Sequence, residues 1–161
     1  MQNISRNKGP SHNCVSPVHE QEMANVKYFR GHLEPLSNMY PCIIKWKGHN
    51  FYSSESIYQY EKALRHGEVS LAEKIKITRN SYECKKLTKH IITSNVWKNT
   101  NVVLMYKILQ TKHKYCEKYR ADISQYDEFV EDTFDKFWGK GGSNMLGRLH
   151  LKVKNKFTPQ K

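Results

Sequence analysis

Two groups of residues have the types and spacing for acid–base chemistry. In Ser54-Glu55-Ser56-Ile57-Tyr58-Gln59-Tyr60-Glu61-Lys62, the positions of Glu55, Gln59 and Lys62 are i, i+4 and i+7, so a helix places them on one face. Ile57, Tyr60 and Leu64 fall on another face and can pack. Glu55 lies in the first turn, where unpaired backbone N–H groups favour a carboxylate. Two readings stand side by side: a solvated helix face with a helpful first-turn acid, or an acid, an amide and an amine meeting a ligand. The approach through Leu36-Ser37-Asn38-Met39-Tyr40-Pro41, polar and aromatic with no packing pattern, favours the second.

The other group runs Glu131-Asp132-Thr133-Phe134-Asp135-Lys136-Phe137-Trp138-Gly139-Lys140-Gly141-Gly142-Ser143-Asn144. Three acids precede a Trp-Gly pair and a glycine-rich loop. Glycines ahead of a helix let the backbone approach a phosphate; a flexible connector is the alternative. Trp138 is either core or a stacking platform for an aromatic base. Two carboxylates from distant segments suit rupture of a bond between an anomeric carbon and nitrogen. One stabilises the positive charge that builds on the sugar; the other manages the proton and the water.

The elements that must hold these residues are mostly helical. Val26–Phe29 reads as a short strand. Cys42–Trp46 and Phe51-Tyr52 read as a hairpin turning at 47–50. Ser53 or Ser54 caps a helix to about Arg65, ended by Gly67. Helices follow over about 69–79, burying Leu71, Ala72 and Ile75, and about 81–92, using Leu87 and Ile91. Ser94 caps a long helix to about Cys116 with Trp97, Leu104, Met105, Ile108 and Leu109 in one stripe. The acidic stretch 122–135 is open between turn, short helix and strand. Ser143 caps a last helix with Leu146, Leu149, His150, Val153 and Phe157 inward. The expected fold is mainly α (α+β): a single compact helical domain over 26–158 with a small N-terminal β-hairpin. Residues 1–25, polar and without apolar period, are expected to form a disordered tail.

The chain has 161 residues, enough for a domain of this size to bury about 70% of the surface it exposes when unfolded. No metal or disulfide is needed to hold it together. Cys14, Cys42, Cys84 and Cys116 lack zinc-ligand spacing and read as reduced thiols. With no apolar run of membrane length and no signal pattern, an intracellular protein is expected, cytoplasmic or nuclear, without membrane contact. The net charge of +12 favours anionic partners: nucleic acid, nucleotides or phosphorylated metabolites. The six acids of 122–135 form an island without a base in this basic chain.

Beyond these local patterns, the residues resemble a known family. Phe29-Arg30-Gly31, Leu36–Cys42, Gly48, Phe51 and Ser54–Ala63 are similar to the opening of the NADAR or YbiA-like domain. Trp97, Met105 and Lys112 are similar to its middle. Phe129–Thr133, Asp135, Phe137–Gly141 and Asn144–Gly147 are similar to its closing motifs. The resemblance runs in order over about 27–157. It implies a largely helical N-glycosidase, with no cofactor and no metal. Its substrate would be a phosphorylated ribosylamino-pyrimidine of riboflavin synthesis or ADP-ribose attached to guanine, so ADP-ribosylated nucleic acid is a candidate partner. Carried over by motif, Glu55 and Asp135 would be the catalytic acids, and Lys62 would sit near the sugar with a conceivable Schiff-base role. Ser37, Asn38, Gln59, Trp97, Glu131, Trp138, Gly139 and Asn144 would bind substrate. The chain departs from the family pattern in a short 141–144 loop, in His150-Leu151 and Lys154, and in Ser124-Gln125-Tyr126-Asp127. These departures are expected to touch the substrate side more than the acids. The competing function is a non-catalytic module that binds ADP-ribose or nucleic acid.

Overall fold

A computed structural model describes residues 24–158; most of the tail expected over 1–25 therefore lies outside the described residues. The element order is β1 (Val26–Phe29), β2 (Ile44–Trp46), β3 (His49–Phe51), α1 (Ser54–Arg65), α2 (Val69–Ile77), α3 (Ser81–Leu87), α4 (Asn95–Tyr115), α5 (Glu117–Gln125), β4 (Glu128–Glu131) and α6 (Met145–Phe157).

The strands make two separate pairs. β2 and β3 form the expected antiparallel hairpin. Its turn is tighter than the expected 47–50: Lys47 and Gly48 both take positive φ, at 48° and 81°, the conformation that a two-residue turn needs to match strand twist. β1 pairs in parallel with β4, Val26 opposite Glu128 and Phe29 opposite Glu131. Asn25 extends the join, its N–H donating to Asp127 Oδ2 at 3.1 Å. The acidic stretch 122–135 thus holds the end of α5 and all of β4, whose partner strand lies about a hundred residues earlier.

α1 starts where its cap predicts. Ser53 accepts from the Ser56 N–H at 3.1 Å while the Ser56 hydroxyl lies 3.2 Å from the Ser53 N–H. Gly67, at φ 77°, follows its end. α4 starts as expected too, with Ser94 Oγ accepting from the Trp97 N–H at 3.1 Å. All five residues of its predicted stripe are buried.

Four expectations need correction. α3 ends at Leu87 rather than about 92; Ser81 and Cys84 are its buried positions, followed by the buried Thr88 at its end, whereas Leu87 and Ile91 are only half-buried, as is Leu71 on α2. α5, for which no element was expected, follows α4 after a break at Cys116 (φ −111°, ψ 101°) and buries Tyr119 and Ile123. The cap of α6 is Asn144, not Ser143: it sits at φ 47° and its side chain bonds elsewhere. Phe157 does not face the core. It is 43% exposed and stacks on His113 at 4.2 Å.

The core gathers around α1 and α4, with α2, α3, α5 and α6 packed about them. Two buried polar groups tie it to the loop after β1. His150 Nε2 donates to the Leu36 carbonyl at 2.9 Å, so its Nδ1 accepts from the Tyr119 hydroxyl at 2.8 Å. Lys112, fully buried, donates from Nζ to the Ser37 carbonyl at 3.0 Å and lies 4.9 Å from the Tyr119 ring centre. Burial, with Lys112's charge nearby, pushes the His150 pKa down to about 3.

A pH prediction follows for His150. Its folded pKa lies below the unfolded value near 6.5, so between these values the unfolded chain binds the extra proton. The neutral ring's stabilisation is therefore complete above about pH 6.5 and falls toward pH 3, by up to about 1.4 kcal/mol per pH unit. Urea unfolding of wild type and His150→Gln from pH 4 to 7 measures it. The wild-type advantage should shrink as pH falls; a constant difference would show that His150 is not buried neutral.

Candidate active site

The loop over residues 36–39 forms one wall of the site, and its carbonyls are held one after another. Those of Leu36 and Ser37 accept from His150 and Lys112. The Asn38 carbonyl accepts from the Glu55 N–H at 3.1 Å and the Met39 carbonyl from Ser81 Oγ at 3.3 Å. Asn38 Oδ1 also accepts from Ser54 Oγ at 2.8 Å. Four successive carbonyls anchored on α6, α4, α1 and α3 leave this loop little freedom.

α1 forms the floor. Glu55 and Gln59 are buried, and Gln59 Nε2 donates to Glu55 Oε1 at 2.8 Å. Gln59 Oε1 in turn accepts from the Thr88 hydroxyl, which fixes the amide's orientation. Glu55, Gln59 and Lys62 all line one cavity of about 700 Å³. The reading of this face as a solvated helix surface is therefore overturned. Burial raises the Glu55 pKa, against the Gln59 hydrogen bond and the charges of Lys85 and Lys62. Burial lowers that of Lys62, with Glu55 opposing and Lys85 assisting.

β4 and the segment after it bring up the far wall. Glu131, Thr133, Asp135 and Trp138 line the same cavity. Burial first, then the charge of Asp135, raises the Glu131 pKa to about 7, with the Thr133 hydroxyl opposing. Asp135 is exposed, and its Oδ1 accepts from the N–H groups of Phe137 at 2.9 Å and Trp138 at 2.7 Å. One of its oxygens is thus engaged in shaping the turn. Aromatic rings close the side: Tyr58 meets Trp97 at 5.1 Å and Trp138 at 5.9 Å.

Of the eleven residues singled out from the sequence, nine share this cavity: Ser37, Asn38, Glu55, Gln59, Lys62, Trp97, Glu131, Asp135 and Trp138. Gly139 and Asn144 are not part of its lining. A Cβ on Gly139 would sit 2.2 Å from Thr133 Oγ1, so this glycine lets the turn fold onto itself. Asn144 accepts from the Glu131 N–H at 3.0 Å and donates to the Phe129 carbonyl at 2.9 Å, holding β4 in place.

The glycine loop does not cradle an anion. Its N–H groups serve its own fold: Lys140 donates to the Glu131 carbonyl, Gly141 to Thr133, Gly142 to Gly139 and Ser143 to Lys136. Those of Met145 and Leu146, at the start of α6, go to Phe137 and Trp138. The departures from the family pattern also lie outside the cavity lining, against expectation. Two of them meet: Lys154 donates to the Tyr126 carbonyl and lies 3.6 Å from Asp127.

Sequence reasoning passed over Arg30, Tyr58, Tyr82, Lys85, Thr93 and Thr133, all on the cavity wall. Arg30 and Lys85 form no ion pair with any described residue, nor does Lys62. Their signal was present only as the basic excess of the chain. Among the described residues no group of three or more His, Cys, Asp or Glu is placed to hold a metal ion. Cys42, Cys84 and Cys116 are free thiols, and Cys14 lies outside the described residues. No described helix is long and apolar enough to cross a membrane.

The model of the NADAR domain matches residues 12–158, nearly the whole chain and all the elements above. The chain belongs to the NADAR family. Its fold is similar to the NMR structure of the E. coli protein YbiA, with a TM-score of 0.70 at 21% identity, covering 83% of this chain and 84% of that one. At that identity the likeness is one of fold. No curated protein sequence matches the chain. The NADAR match starts ahead of β1, whereas the domain was expected to begin at residue 26.

Proposed function

We propose that this NADAR domain is an N-glycosidase that hydrolyses the bond between nitrogen and the anomeric carbon of a phosphorylated ribosyl or ADP-ribosyl group. The observation that carries the reading is the convergence of Glu55, Glu131 and Lys62 on one aromatic-walled cavity. Water adds to the anomeric carbon as the C–N bond breaks, and the departing nitrogen takes up a proton. A carboxylate stabilises the positive charge that builds on the sugar, in a site where burial strengthens the interaction. The lowered pKa of Lys62 enlarges its neutral fraction, which suits attack on an opened ribose. Rings of Tyr58, Trp97 and Trp138 suit a planar leaving group. The cations Arg30 and Lys85 suit phosphate.

Glu131 is the better partner for Glu55 in proton transfer. Its pKa of about 7 matches neutral operation, whereas Asp135 has an oxygen occupied by two N–H groups. A passive binding surface has no use for the desolvated Glu55 carboxyl, which is costly to ionise.

Turnover of a ribosylamino-pyrimidine phosphate and of an ADP-ribosylated guanine oligonucleotide, read by released ribose 5-phosphate or ADP-ribose, tests the activity. Tight binding with neither product sinks it. The kcat/KM profile should show a limb near pH 7 that Glu131→Gln abolishes and that Asp135→Asn keeps but moves to lower pH, since the Asp135 charge helps to raise the Glu131 pKa. If the limb follows Asp135 instead, the two roles are reversed.

A further inference from the structure

Two cysteines far apart in sequence meet outside the main cavity. Cys42 lies just before β2, and Cys116 sits at the break between α4 and α5. Backbone bonds fix both: the Cys42 N–H donates to the Tyr52 carbonyl at 2.9 Å, and the Cys116 N–H to the Lys112 carbonyl at 2.8 Å. β2 packs against α4, which brings the Cys42 thiol within hydrogen-bond reach of the Cys116 sulfur. Cys116 is buried and Cys42 half-buried, so the pair is open to solvent from the Cys42 side.

The surroundings divide the roles of the two sulfurs. The Cys42 S–H, the Tyr119 N–H in the first turn of α5 and the charges of Lys112 and Arg120 pull the Cys116 pKa down, against burial. Arg120 is held at the end of α4 by its bonds to the carbonyls of His113 and Lys114, at 2.8 and 2.7 Å. Lys112 has these two sulfurs and Asp122 as the anionic groups that oppose its loss of charge on burial. The contact with Cys116 holds the proton on Cys42. Cys84 is the contrast: burial, then the charges of Glu55 and Glu83, push its pKa up to about 11. A buried thiol without cations is inert, and Cys116 is not of that kind.

We infer that Cys42 and Cys116 form a peroxide-reactive dithiol, with Cys116 as the attacking sulfur and Cys42 as the resolving one. The Cys116 thiolate attacks a peroxide oxygen, the O–O bond breaks, and the departing hydroxide takes a proton from solvent to leave as water. Cys116 is then a sulfenic acid. The Cys42 sulfur attacks it, the S–O bond breaks, and the hydroxyl leaves as water with the Cys42 proton. The two sulfurs lose two electrons to form the disulfide, and one peroxide is reduced to two waters. The bridge ties the end of the cavity-wall loop to the end of α4 and takes the thiolate from Lys112, the cation that also holds the Ser37 carbonyl. The inference stands apart from the N-glycosidase reading.

Peroxide treatment of the reduced full chain near neutral pH, quenched by alkylation at intervals and read cysteine by cysteine by mass spectrometry, tests it. A peptide linked through Cys42 and Cys116 should accumulate and be released by dithiothreitol. Cys116 should be oxidised at least about tenfold faster than Cys84, following its larger thiolate fraction. In Cys42→Ser, Cys116 should stop at the sulfenic acid and be trapped by dimedone; in Cys116→Ser, Cys42 should stay reduced. The wild-type rates and linkage give the answer even where a serine variant folds poorly. The inference is overturned by a Cys116 that stays reduced or reacts no faster than Cys84. It is equally overturned by a Cys116 that bridges to Cys14 or to a second chain instead of Cys42, or by one that stops at the sulfenic acid with Cys42 present.

Discussion

Glu55→Gln is expected to lower kcat by about a hundred- to ten-thousandfold, the range for loss of a positioned acid–base group. The substitution is nearly isosteric, and the new amide oxygen can still accept from Gln59, so the chain should remain folded. Stability offers an independent readout. Burial raises the Glu55 pKa above its ordinary value, so the folded state holds the proton longer than the unfolded one. Wild type therefore loses stability as pH rises from the ordinary glutamate range through the raised value, and Glu55→Gln does not. The variant should gain on wild type across that window, measured by urea unfolding at a series of pH values. A variant that keeps wild-type turnover would remove Glu55 from the mechanism. A stability difference that does not change with pH would contradict its burial.

Gly147→Ala should be strongly destabilising. Gly147 lies where the first turn of α6 crosses β4, and a Cβ there would stand 2.0 Å from the Phe129 carbonyl oxygen and within 2.7 Å of both polar atoms of the Asn144 side chain. Overpacking a well-filled core ordinarily costs about 1–3 kcal/mol. Here the obstacle is strand backbone, which cannot swing aside as a side chain does. A cost of about 3 kcal/mol or more is expected, a fall in Tm on the order of 10 °C. Because Asn144 and β4 hold Glu131, activity should fall even below the melting transition. A Tm within 2–3 °C of wild type, roughly 1 kcal/mol, would show that α6 and β4 do not approach this closely.

Much of the helical frame was legible because its signals are local. Ser53 and Ser94 announce helix starts by side-chain chemistry, Gly67 marks an end, and the α4 stripe has a helical period. The clustering of Glu55 with Gln59 and Lys62 was legible for the same reason, since one helix fixes their common face. Non-local features were not. Nothing near Glu128–Glu131 reveals that its partner is Val26–Phe29, and a four-residue strand has too little pattern to stand apart from the acids around it. The glycine loop misled because glycine records only that backbone comes close, here the chain's own rather than a phosphate's. Ser143 resembled a cap by type, but the position required a left-handed residue whose amide could reach β4, which Asn144 supplies. Arg30 follows β1 whereas Tyr82 and Lys85 share α3, so only the folded chain brings these two segments to one rim.

The parallel pairing of β1 with β4 has a kinetic consequence. Helices α1 to α4 can dock through contacts close in sequence, but Glu131 reaches the cavity only after a loop of roughly a hundred residues has closed. Such closure is slow, because its entropic cost precedes the contacts that repay it. The acid wall should therefore assemble last on the folding path. A chain still emerging from the ribosome would carry Glu55 and Lys62 on a formed helix long before their partner wall exists.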